Sequence, residues 1–86
     1  MPRYVVERGL PAGVAIPQDE VGARFCRGVV SVNAREGVTW IHSYVTMDRK
    51  KTFCIYDAPS PDAIRGVAEK NGLPVDTITE VLVLDP

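Results

Sequence analysis

A chain of 86 residues, 45% hydrophobic and 24% charged, has the size of one domain spanning 1–86, and its composition excludes a disordered or fibrous protein. The net charge is −1 at pH 7 and the ten Lys and Arg are scattered, so neither the basic stripe of a nucleic-acid binder nor a patch for anionic membranes is present. The opening Met1-Pro2-Arg3-Tyr4-Val5-Val6 lacks a secretory signal pattern, no apolar run approaches a membrane span, and the two cysteines suit reduced thiols, so a cytoplasmic protein is expected.

Tyr4-Val5-Val6-Glu7-Arg8 is β-branched and aromatic and stops at Gly9 and Pro11, which predicts a first strand. A connection rich in Pro and Gly, residues 11–17, follows. From Gln18 the apolar positions Val21, Phe25, Val29 and Val32 recur at helical spacing. Asp19 and Glu20 suit the positive end of the helix dipole, and Gly37 supplies a left-handed stop.

Two further strands, Val38 to Val45 and Thr52 to Tyr56, form a hairpin around the polar turn Met47-Asp48-Arg49-Lys50-Lys51. A turn centred on Arg49 sets Tyr44 opposite Cys54 and His42 opposite Tyr56. Trp40, the single histidine, a cysteine and two tyrosines then share one face, and Ile41, Ser43, Val45, Phe53 and Ile55 form an apolar core face on the other.

Ser60 is positioned to cap a second helix, Pro61 to Asn71, with Pro61 at its first position, Ile64, Val67 and Ala68 inward, and Gly72 as the stop. A last strand is expected over Ile78 to Leu84. Its unbroken run Val81-Leu82-Val83-Leu84 suggests cover on both faces.

The order β-α-β-β-α-β is the ferredoxin-like arrangement, an α+β fold whose four-stranded antiparallel sheet carries both helices on one face. The expected open face holds Trp40, His42, Tyr44, Cys54 and Tyr56, joined by one phase of the first strand. So much aromatic surface is a liability in water, and a homodimer packed sheet to sheet, forming a barrel, is the expected remedy.

Imidazole and thiolate have the highest affinity for late transition metals, and diagonal neighbours on adjacent strands lie roughly 7–8 Å apart at Cα. His42 and Cys54 are therefore candidate metal ligands, with Glu7 as a third. Each has an ordinary alternative: a hydrogen-bonded sheet histidine, a small buried hydrophobe, and a salt bridge to a basic residue. Arg8 must take the face opposite Glu7. Cys26 is expected to be packing only. A histidine nitrogen with a thiolate favours copper(I) or zinc, whereas added oxygen ligands favour nickel.

The stretches Met1 to Arg8, Gly37-Val38-Thr39-Trp40-Ile41-His42-Ser43-Tyr44-Val45, Thr52-Phe53-Cys54-Ile55-Tyr56 through Pro61, and Asn71-Gly72-Leu73-Pro74-Val75-Asp76 together resemble a family of small bacterial nickel-binding proteins, long catalogued as a domain of unknown function. The resemblance implies a ferredoxin-like fold, a homodimer whose sheets close into a barrel, and binding of nickel or, in some relatives, copper through histidine and sulfur ligands. His42 and Cys54 are the positions that carry it over best, with Glu7 next.

The expected function is binding of nickel, or copper or zinc, for buffering or sensing, with no reaction proposed. The rival is a dimeric α+β barrel enzyme with His42 as general acid or base on a small organic substrate under Trp40 and Tyr44. A small-molecule sensor or interaction module is the third reading, in which His42 and Cys54 never approach each other.

Overall fold

The computed structural model describes residues 1–10 and 20–86, with the side chains of residues 20–23 and 25 set aside. The expected 11–17 connection and the helix onset at Gln18 and Asp19 lie outside the described residues, as do the side chains of Val21 and Phe25. The elements run β1 (Arg3–Gly9), α1 (Glu20–Arg35), β2 (Thr39–Val45), β3 (Lys51–Asp57), α2 (Pro61–Asn71) and β4 (Thr77–Val81). The sheet is four-stranded in the order β2-β3-β1-β4, antiparallel at every pairing, as the ferredoxin-like reading requires.

Both helices end as their sequences dictate. Past α1, Gly37 takes φ 73, its N–H reaches the Ala34 carbonyl, and the Val38 N–H reaches that of Asn33 at 3.0 Å. Past α2, Gly72 at φ 69 donates to Glu69 and Leu73 donates to Ala68 at 2.9 Å. These paired bonds are the Schellman arrangement, which needs a residue free to turn left-handed. At the other end of α2 the Ser60 hydroxyl accepts the Ala63 N–H at 3.2 Å, with Pro61 next in line.

Strand alternation in β1 decides where the core lies. Tyr4, Val6 and Arg8 are buried while Arg3, Val5 and Glu7 are half-buried. Across from them on β3, Thr52, Cys54 and Tyr56 are buried as well. Tyr4, Val6, Cys54 and Tyr56 cluster with Ile64 and Val67 of α2, so this is the face the helices cover. Helix α1 packs beside α2 on the same side.

Two expectations are corrected here. The hairpin pairs Tyr44 with Phe53 and His42 with Ile55, so its axis passes between Asp48 and Arg49 rather than through Arg49. The turn explains the shift: the Arg49 N–H donates to the Thr46 carbonyl at 2.8 Å, Asp48 Oδ1 accepts from the Thr46 hydroxyl and the Lys50 N–H, and Arg49 adopts φ 62. A four-residue loop, Met47 to Lys50, closes the hairpin one residue earlier than the composition suggests. A slip of one residue moves a whole strand to the other face.

The last strand also ends sooner than expected. Its partner begins at Arg3, which pairs with Val81, so no ladder remains for the residues beyond. Leu82, Val83 and Leu84 are 95%, 59% and 95% exposed, not covered on both faces.

Candidate functional site

The face opposite the helices carries Val5 and Glu7 from β1, Phe53 and Ile55 from β3, and His42 and Tyr44 from β2, the pairs following directly from the register. His42 and Tyr44 meet edge to face, with ring centroids 5.0 Å apart and planes at 81°. Both are exposed at the sheet edge, while Val5, Phe53 and Ile55 are half-buried.

Ion pairs bound this apolar centre. Arg3 holds Asp57 through Nε at 2.8 Å and Nη2 at 3.1 Å, and Lys51 Nζ holds Glu7 Oε1 at 2.9 Å. The Lys51 ammonium, by hydrogen bond and by charge, lowers the Glu7 carboxyl below its ordinary range, and the Thr77 hydroxyl adds a weaker bond at 3.3 Å. The Arg3 guanidinium lowers Asp57 in the same way.

A β-bulge decides the facing of the start of β2. The register shifts between Trp40 and His42, leaving Ile41 as the extra residue. Trp40 therefore pairs with Tyr56 and Ser43 with Cys54, both on the helix-covered side, and the Trp40 indole N–H donates to the Ser43 hydroxyl at 2.8 Å. Strict alternation puts residues three apart on opposite faces; the bulge is what lets them touch.

The predicted ligands are split by the hairpin register, which pairs His42 with Ile55 and Ser43 with Cys54. His42 and Glu7 lie on the helix-free face, but with β3 between them and two residues out of line along the strands. Cys54 lies on the other face, buried in the core, its thiol donating to the Thr52 hydroxyl at 3.8 Å. Trp40 and Tyr56, expected beside His42, also face the helices, whereas Phe53 and Ile55, expected in the core, line the open face. Among the described residues no cluster of three or more His, Cys, Asp and Glu side chains is placed to hold a metal ion.

The helix-covered face holds a polar group that sequence reasoning passed over. Arg8 is only 2% exposed, opposite Thr52, and its guanidinium lies 5.8 Å from the centre of the Tyr56 ring. Burial pushes the Tyr56 phenol up, and the positive charge of Arg8 opposes that rise. The signal in the sequence was parity: Arg8 shares its phase with Tyr4 and Val6, so it follows them inward.

Among solved structures the chain is similar to that in the crystal structure analysis of SCO4226 from Streptomyces coelicolor A3(2), with a TM-score of 0.77 and 18% identity, covering 96% of this chain and 99% of that one. At that identity the likeness bears on the fold alone. No curated protein matches the chain. The family described as nickel-responsive protein SCO4226-like matches over residues 4–81. With most of the sequence covered, the chain belongs to the SCO4226-like family of nickel-responsive proteins.

Proposed function

We propose that the protein binds a late transition metal ion, nickel foremost, on the helix-free face of its sheet, in a site completed by a second copy of the chain. The observation that carries this reading is the exposed imidazole of His42 beside Tyr44, at the margin of a half-buried apolar patch of Val5, Phe53 and Ile55. Family membership adds the metal. One copy offers too few donors on this face to enclose an ion, and sheet-to-sheet pairing doubles them. The apolar centre with ion pairs at its ends also has the make-up of a dimer interface.

His42 is the anchoring ligand. Glu7 is the second donor, available when the ion displaces Lys51, and the Tyr44 hydroxyl is within the same patch. Cys54 stays outside the proposed set because its thiol points into the core on the far side. Without sulfur the donors are nitrogen and oxygen, which suit nickel(II) or copper(II) better than copper(I), with zinc the remaining alternative. Buffering or sensing requires binding alone. Two free thiols, Cys26 and Cys54, suit a reducing cytoplasmic setting, and no helix among the described residues is long and apolar enough to cross a membrane.

Calorimetric titration of nickel, copper and zinc into the wild type, His42→Ala, Glu7→Gln and Cys54→Ala tests the assignment. Nickel affinity is expected to fall at least about tenfold in His42→Ala, a change of about 1.4 kcal/mol, and to survive in Cys54→Ala. Unchanged nickel affinity in His42→Ala overturns it.

A further inference from the structure

We infer that Arg8 anchors a second site, on the opposite side of the sheet from His42, that takes a small anion such as a carboxylate or an inorganic oxyanion. The guanidinium carries a permanent charge that no protein environment removes. It is 2% exposed, and its Nε and Nη1 have no hydrogen-bond partner among the described residues. An uncompensated buried charge of this kind is strongly destabilising, so its retention requires something negative close by.

The described residues around it supply further donors but no anion. Arg8 pairs across the sheet with Thr52, and its side chain runs along the sheet past the Val6–Cys54 pair to reach the Tyr56 ring at 5.8 Å. The ring face offsets part of the charge and leaves Nε and Nη1 free to donate. Thr52 Oγ1 accepts from the Cys54 thiol at 3.8 Å, which leaves the threonine hydroxyl proton available to an acceptor. Tyr56 is 3% exposed and its phenol, held up by burial, keeps its own proton to donate. Three kinds of donor thus share one face, and no described carboxylate joins them. Such a donor set suits oxygen anions, not metal cations, which separates this site chemically from that of His42.

The anion comes either from solution or from the chain's own acidic residues after β1, of which Asp19 and Glu20 are nearest in sequence. Thermal melts distinguish the two. The full-length protein is melted in EDTA with sodium chloride, sodium phosphate or sodium acetate at matched ionic strength, alongside Arg8→Met, Thr52→Val, His42→Ala, Asp19→Asn and Glu20→Gln.

A free-anion site raises the wild-type Tm saturably, by about 5 °C or more at ten times the dissociation constant, for at least one of the two test anions. Arg8→Met abolishes the shift, and His42→Ala, Asp19→Asn and Glu20→Gln keep it. If Arg8→Met does not fold, Thr52→Val carries the test, with half-saturation moved to several-fold higher anion concentration. An equal shift in Arg8→Met or Thr52→Val overturns the proposal by placing the anion elsewhere. So does a wild type insensitive to both anions whose Tm falls in Asp19→Asn or Glu20→Gln, because the arginine is then neutralised from within the chain.

Discussion

The indole N–H of Trp40 donates to the hydroxyl of Ser43 at 2.8 Å, a bond between residues three apart on one strand. It exists because Ile41 bulges out of the ladder and turns the strand by one residue. Below the bulge His42 and Tyr44 look away from the helices; above it Trp40 looks toward them. The histidine is separated from the cysteine by the turn register, which pairs His42 with Ile55, while the bulge separates it from Trp40.

If Ile41 is the extra residue, its removal restores plain alternation without changing which residues pair around it. A variant lacking Ile41 is expected to fold with Trp40 still packed against the core and stability changed by about 1 kcal/mol or less. Thermal melting followed by tryptophan fluorescence checks this. A variant that cannot fold would show that Ile41 has a role the ladder does not reveal.

Cys54 is 8% exposed and belongs to the core cluster, whereas the other thiol, Cys26, is partly exposed. Under native conditions a thiol reagent is expected to modify Cys26 quickly and Cys54 only as fast as the protein opens. Mass spectrometry of the labelled peptides reports the two rates. Nickel is expected to leave the Cys54 rate no faster and, by stabilising the fold, to slow it.

Ile55 sits at the middle of the helix-free face, between His42 on one neighbouring strand and Val5 on the other. Ile55→Glu places a charge at the centre of the proposed interface while leaving the core side untouched. Sedimentation is expected to show a dimer for the wild type and a monomer for this variant at the same concentration, with nickel affinity reduced alongside. A wild-type monomer in the presence of nickel would remove the interface.

The Glu7 and Asp57 carboxyls are both held below their ordinary ranges, by Lys51 and Arg3. Groups lowered on folding stabilise the native state above their unfolded pKa values, about 4.3 for Glu and 3.9 for Asp, and that contribution is lost as pH falls through the folded values. Acid should therefore weaken the fold below about pH 4. Urea midpoints between pH 7 and pH 2 are expected to fall less steeply in Glu7→Gln and Asp57→Asn than in the wild type. The effect per pair is small because all four groups remain partly in water.

Much of this protein is decided locally, within a few residues of sequence. Ser60 and Pro61 begin α2, Gly37 and Gly72 end the two helices, and the alternation of Tyr4, Val6 and Arg8 sets one face of β1. Such signals survive without tertiary context because a cap or a left-handed turn is satisfied by its immediate neighbours. Hence the element order and the ferredoxin-like arrangement are legible from the residues alone, as is the opposition of Arg8 to Glu7.

The facing of β2 and β3 is of a different kind. It depends on where the Thr46–Lys51 turn closes and on a bulge at Ile41, and both strands carry enough apolar residues on each side to permit either phase. Only packing against α2 selects Cys54 and Tyr56 for the core and releases Phe53 and Ile55 to the other face. With period-two geometry, a single-residue choice of that sort reverses every side chain on the strand, which is why the tertiary structure, not the sequence, determines which residues stand beside His42.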